Sequence, residues 1–202
     1  MKTENVVLMR MARESLKGNW GLAIGTFVVY MIIISAIQGI AHHTPMVGLV
    51  SLIIGGPFAL GISIFSLALS RNTEARLEQI FQGFNDFGNT LGTYLLMVLI
   101  IILWMLLLII PGIIVAISYS MTFYIIADDR SLGGMEALNK SKKMMNGYKL
   151  KFFYLGLRFF LLALLCILTL GIGFLWLVPY MNVSIAKFYD DIKESPVVAE
   201  NI

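Results

Sequence analysis

The chain has 202 residues, of which 58% are hydrophobic and only 13% charged, with a formal net charge of +3 and a mean hydropathy of +0.84. That apolar fraction exceeds the roughly 45–50% of soluble domains and places the chain with membrane proteins. So small a positive excess gives no argument for nucleic acid. The one cysteine, Cys166, sits in an apolar run, which excludes an intramolecular disulfide.

Residues 4–17 predict an amphipathic helix, with Val7, Leu8, Met11, Ala12, Ser15 and Leu16 on one face and Arg10, Arg13, Glu14 and Lys17 on the other. Such a helix can lie in the headgroup plane, and Trp20 follows at the depth that indole rings favour. The apolar run that follows this charged start is too long for a signal-peptide core and lacks a clear small-x-small cleavage site, so it is expected to be an uncleaved first span. A first span is predicted from Trp20 to Ile40, then a polar link, Ala41-His42-His43-Thr44-Pro45, then a second span from Met46 to Leu69. Gly55-Gly56-Pro57 should kink or break that second span.

Charge returns from Ser70 to Asn89. Leu77, Ile80, Phe81 and Phe84 are spaced for a second amphipathic helix, with Thr73 as its N-cap. Leu91 to Ala127 contains no Asp, Glu, Lys or Arg and is interrupted only by Pro111-Gly112. About 20 apolar residues cross ~30 Å of hydrocarbon, so this stretch predicts two spans with the turn at Pro111, which biases Ile110 away from helix. Met135, Leu138, Met145 and Tyr148 suggest a third surface helix. Span five is predicted over Lys151 to Leu170, and Gly171-Ile172-Gly173 is a tight link. Span six runs from Phe174 to Tyr189 with Pro179 inside it, followed by a short polar tail, flexible from residue 192 to 202.

The fold class expected is therefore all-α: one polytopic membrane domain of six transmembrane helices paired as three hairpins, each hairpin preceded by a surface helix. Every Lys and Arg lies in or near the N-terminal segment, the 70–89 and 128–151 loops and the tail, while the links at 41–45, 111–112 and 171–173 carry none. Positive charge stays inside, so both termini are expected in the cytoplasm of a bacterial cell membrane. The unit also repeats, over about 4–70, 71–129 and 130–191. Each surface helix ends in Gly and an aromatic, at Gly18, Gly83 and Gly147, spaced by 65 and 64 residues, and each second span carries a proline, Pro57, Pro111 or Pro179. Three such helices would meet about a pseudo-threefold axis.

Small and polar residues follow each proline: Gly61, Ser63 and Ser66; Ser118 and Ser120; Asn182 and Ser184. These side chains either bond between helices or line a substrate path. Lys140, Lys142, Lys143, Lys149 and Lys151 fit attraction to anionic headgroups. Arg158 lies seven residues beyond Lys151, about 10 Å along a helix, where an Arg snorkels to the headgroups or pairs with a phosphate or Asp128. Asp128-Asp129 and Asp190-Asp191 are expected to join ion pairs with Lys140, Lys142, Lys143 and Lys149 rather than do acid–base chemistry. His42-His43 has no nearby acidic or Cys partner. No catalytic, metal or cofactor constellation is read from the sequence.

Ile110-Pro111-Gly112-Ile113-Ile114, Tyr119-Ser120-Met121 and Ala127-Asp128 resemble a bacterial integral-membrane family named as domain of unknown function 975. The likeness continues through Ala137-Leu138, Ser141, Met144-Met145, Gly147 and Lys149. It extends over Leu168-Thr169, Gly171-Ile172-Gly173, Leu175-Trp176-Leu177 and Pro179-Tyr180, and it is strongest from residue 76 to 190. The resemblance implies a six-span membrane protein of Gram-positive bacteria and brings no activity or site. The plan is also similar to the membrane domain fused to some glycerophosphodiester phosphodiesterases, although no catalytic domain is present here. Two functions are expected from these features. One is a non-enzymatic module that engages membrane lipids, another membrane protein or itself, in envelope homeostasis or peptide resistance. The other is a small transporter whose path the three proline-broken helices line; a lipid-modifying enzyme, which would need the Asp pairs, ranks last.

Overall fold

The computed structural model describes residues 3–41 and 47–193; the predicted His42-His43 pair and residues 194–202 lie outside them. Among the described residues every regular element is helical. In chain order these are α1 (Asn5–Leu16), α2 (Trp20–Ala41), α3 (Val47–Ser70), a 3-10 helix (Leu77–Phe84), α4 (Phe87–Leu107), α5 (Ile109–Tyr119), α6 (Thr122–Asp128), α7 (Gly134–Met144), α8 (Lys149–Leu168) and α9 (Phe174–Lys193). Among the described residues five stretches are long and apolar enough to cross a membrane: Trp20–Gly39, Gly48–Ser70, Phe87–Leu107, Ile109–Asp128 and Lys149–Leu168.

The sixth predicted span, α9, differs in kind. Its first half is apolar, but Lys187, Asp190, Asp191 and Lys193 occupy its last two turns. It buries Leu177, Val183, Ala186, Phe188, Tyr189 and Ile192, and α1, α2, α3 and α8 all pack on it. The helix thus continues through the predicted start of the tail, because Ile192 is fully buried and anchors its last turn.

The expected breaks fall elsewhere. α3 runs as helix through Gly55-Gly56-Pro57, and the two glycines serve close approach instead. A β-carbon at either would come within 2.8 Å of the Tyr94 side chain on α4. The turn expected at Pro111 is made three residues earlier, by Leu108 in an extended conformation (φ −158°, ψ 132°). Ile110 is helical, and Pro111 sits in the first turn of α5, where a missing N–H costs nothing. α4 and α5 then pack closely, with Gly112 against Met105.

The segment expected as a second α-helix is a 3-10 helix, and Thr73 does not cap it. The Thr73 hydroxyl donates to the Ala68 carbonyl oxygen and helps to close α3. A 3-10 helix brings residues i and i+3 one above the other, so Ile80 and Gly83 form a single edge along α3. There the two backbones touch. A β-carbon at Gly61 would lie 1.9 Å from the Ile80 oxygen, and one at Gly83 would lie 1.9 Å from the Pro57 oxygen.

Each surface element leans chiefly on one other helix: the 3-10 helix on α3, α7 on α6, and α1 on α9. α1 buries Leu8, Ala12, Ser15 and Leu16 but leaves Val7 and Met11 exposed; α7 buries Ala137, Leu138, Ser141 and Met144 but leaves Met135 exposed. The apolar faces read from sequence were thus wider than those the protein buries. The two core clusters join residues of α1, α3, α6, α7, α8 and α9 in one, and α1, α2, α3, the 3-10 helix and α9 in the other.

Candidate functional site

Three helices that carry or follow a proline, α3, α6 and α9, bring their C-terminal ends together. A helix C-terminus carries partial negative charge, and Asp128 and Asp190 add two carboxylates to it. Arg71, directly after α3, answers both. Its Nη1 donates to Asp128 Oδ1 at 2.6 Å and its Nη2 to Asp190 Oδ1 at 2.7 Å. These two hydrogen bonds hold the guanidinium protonated well above its ordinary range. Lys193 Nζ also donates to Asp128, and the Tyr189 hydroxyl donates to Asp128 Oδ2 at 2.9 Å. Tyr189 stacks on Tyr124 of α6, ring centroids 5.8 Å apart, and the Tyr124 hydroxyl donates to the Asn182 carbonyl oxygen. At the same end, Ser15 Oγ and Lys187 Nζ both donate to the Ser70 carbonyl oxygen, one of the orphan acceptors that a helix C-terminus leaves.

A second polar cluster fastens α1 to α8 and α9. Lys151 Nζ donates to Asp191 Oδ2 at 2.7 Å, the Thr3 N–H donates to Asp191 Oδ1, and Asn5 Nδ2 donates to the Lys151 carbonyl oxygen. Burial raises the Asp191 carboxyl, but the Lys151 and Thr3 hydrogen bonds outweigh it and leave the group below the usual carboxylate range.

Neither aspartate pair acts as a pair. Asp128 and Asp190 share Arg71, Asp191 belongs to the α1 clasp, and Asp129 accepts from the N–H and hydroxyl of Ser131 in a local turn. Asp128, Asp190 and Asp191 pair with Arg71, Lys193 and Lys151 in place of the expected 140–149 lysines, whereas Asp129 has Lys140, one of those expected, near enough to favour its charged form. Lys142 and Lys143 lie on the exposed face of α7. Arg158 is also exposed and forms no ion pair with any described residue; Asp128, one partner expected for it, is committed to Arg71 and Lys193.

The polar residues after the prolines mostly bond to their own helices. Ser63 donates to Ala59, Ser118 to Ile114, Ser120 to Ile117, Asn182 to Val178 and Ser184 to Tyr180, each to a carbonyl oxygen within one turn. Ser66 is buried with its hydroxyl unpartnered. The inter-helix bonds come from residues that sequence reading passed over. Ser141 Oγ on α7 donates to the Ser118 oxygen at 2.8 Å and accepts from the Met121 N–H, bridging the break between α5 and α6. A signal for Arg71 did exist: the three proline-bearing runs end in Arg71, Asp128 and Asp190, one positive charge and two negative. Among the described residues no three His, Cys, Asp or Glu side chains come together as metal ligands would.

The model of a family described as Protein of unknown function (DUF975) matches residues 1–111 and 105–196. The chain belongs to that family. The match takes in α1 to α9, and with them both polar clusters. No curated protein and no solved structure matches the chain. The similarity to the membrane domain of glycerophosphodiester phosphodiesterases has no counterpart among these findings.

Proposed function

We propose that this is a non-enzymatic, multi-pass protein of the bacterial cytoplasmic membrane that engages lipids or a partner membrane protein, with a role in envelope homeostasis or peptide resistance. α9 is read as a sixth span, so that six spans form three hairpins with both termini on the cytoplasmic side. The observation that carries the reading is the contrast between the two ends of the helices. One end gathers Arg71, Asp128, Asp190, Lys193, Lys151 and Asp191, while the other presents Leu106, Ile110, Leu168 and Leu170 to the surroundings. The charged end is the one that the positive-inside tendency keeps in the cytoplasm.

The order in which the short elements pack supports a threefold repeat. The 3-10 helix opens the second unit and leans on α3 of the first; α7 opens the third and leans on α6 of the second. α1 opens the first and leans on α9 of the third, which closes the circle. On this reading Lys140, Lys142, Lys143 and Lys149 form a cytoplasmic surface for anionic headgroups or an acidic partner. The small-transporter reading gains no specific observation, since the polar residues after the prolines turn mostly to their own backbones.

Extraction into native-membrane discs, followed by mass spectrometry, tests the proposal. The expected result is a lipid class or a stoichiometric protein enriched over bulk membrane, and reduced by Lys140→Glu, Lys142→Glu and Lys143→Glu together. Discs of bulk composition would overturn it. Loss of function on replacing Ser118, Ser120, Asn182 and Ser184 by Ala, with the lysine variant fully active, would favour transport.

A further inference from the structure

Between the start of α1 and the outer face of α8 lies a groove of about 660 Å³, lined by Asn5, Val6, Tyr154, Leu157, Arg158 and Leu161, with Glu4 and Lys151 at its charged rim. Its long axis follows α8. Lys151 is already neutralised by Asp191. Seven residues further along, about 10 Å deeper, Arg158 stands exposed among apolar side chains without an ion-pair partner in the described protein.

A guanidinium at that depth of a bilayer requires a counter-anion, and a phosphate matches its fork of donors best. Beside it Leu157, at 42% exposure, and a turn below it Leu161, at 56%, offer an apolar track that a free phosphate ion has no use for. Above it, at the level of Lys151, Glu4 is exposed on the rim and forms no ion pair with any described residue. The groove therefore carries one positive charge deep and one negative charge shallow that no ion pair among the described residues offsets. An anionic headgroup would satisfy Arg158 but be repelled by Glu4. A zwitterionic headgroup with its amine outermost satisfies both.

We propose that this groove holds an amine-bearing phospholipid, its phosphate on the Arg158 guanidinium, its amine facing the Glu4 carboxylate and an acyl chain running from Leu157 along Leu161. This rests on the reading of the chain as a lipid-engaging membrane protein and names the lipid class.

The test uses full-length protein stripped of lipid in detergent and titrated with dioleoyl phosphatidylethanolamine, dioleoyl phosphatidylglycerol or inorganic phosphate, with bound lipid read by native mass spectrometry. The ethanolamine lipid is expected to bind about tenfold more tightly than the glycerol lipid, since a charge-assisted hydrogen bond is involved. Arg158→Gln should weaken both lipids by about tenfold or more, and Glu4→Gln should erase the difference between them. Both residues are exposed, so neither variant is expected to unfold. Unchanged lipid binding in Arg158→Gln, an equal or greater affinity for phosphatidylglycerol, or equal displacement by inorganic phosphate would each overturn the proposal. If the groove fails in this way while native discs still enrich a lipid or partner through the 140–149 lysines, the broader function stands and only the groove assignment falls.

Discussion

The two ends of this helical protein are held by different physics. At the charged end, helices sink aromatic and aliphatic side chains into shared clusters: Phe65, Tyr189 and Ile192 are all but inaccessible. Each carboxylate placed against a helix C-terminus there has a cation or hydroxyl beside it. At the opposite end, Leu106 and Leu168 are each 80% exposed and Leu170 is 95% exposed. In water such a surface would collapse or aggregate. In lipid it costs nothing, because acyl chains solvate leucine as well as leucine does, and no hydrophobic force draws those helix ends together. What fixes the helices is therefore concentrated where backbones approach closely and where charges meet.

Close backbone contact should be the most fragile feature. Gly61→Val would drive a side chain into the Ile80 carbonyl, only 1.9 Å from a β-carbon. It should destabilise by about 3 kcal/mol or more, seen as lost thermal stability in detergent and poor expression. Arg71→Met comes next: Asp128 and Asp190 would face two helix C-termini without their shared cation. Arg71 is partly exposed, so the expected loss is about 1–2 kcal/mol, between the values for surface and buried pairs. Asp128→Asn with Asp190→Asn in the same background should recover part of it, as a double-mutant cycle would show.

Ser141→Ala should cost about 1 kcal/mol, because it removes one donated and one accepted inter-helix bond. Ser118→Ala, losing a bond within its own helix, should fall well below that in the same unfolding assay. The α1 clasp should respond to acid. Asp191 is held below its ordinary value, so its contribution is complete above the unfolded carboxylate range near pH 4 and is lost as pH falls through its lowered folded value. Faster hydrogen exchange in α1 below about pH 4, absent in Asp191→Asn, which should exchange fast at every pH, would check this. The smallest effect belongs to the bare end: Leu106→Ala should change stability by less than about 0.5 kcal/mol. A large loss there would mean that something other than lipid covers that end.

Much of the all-helical plan was legible from residue order alone. Runs such as Leu91 to Ala127 are long, uncharged and apolar, and a backbone in lipid has little choice but helix. The starts of α2, α3 and α8 fell within two residues of expectation for that reason. Breaks were read less well. Proline was read as a break within the second and sixth spans and as the turn between the third and fourth, yet α3 and α9 run on as helix through Pro57 and Pro179, and Pro111 lies in a first turn. Proline forbids a hydrogen bond at one position but does not say whether the surrounding helix can do without it. Likewise, the apolar faces of α1 and α7 were drawn by periodicity, which cannot tell a side chain buried in protein, such as Leu8, from one left outside, such as Met11.

The sequence by itself thus determined the solvent, the helices and the family, because these follow from local composition over twenty residues at a time. Only the tertiary structure decided the rest. It chose Arg71 as the cation that joins Asp128 and Asp190, 57 and 119 positions away, over the lysines closer in sequence. It turned the polar residues after the prolines inward to their own carbonyls, and gave the bridging role to Ser141 on another helix. It also left Arg158 without an ion-pair partner among the described residues, beside an apolar groove. The physical reason is common to all three. An ion pair or hydrogen bond depends on which helix ends share a level and a face, and that depends on backbone contacts such as Gly61 on Ile80, which no local pattern encodes.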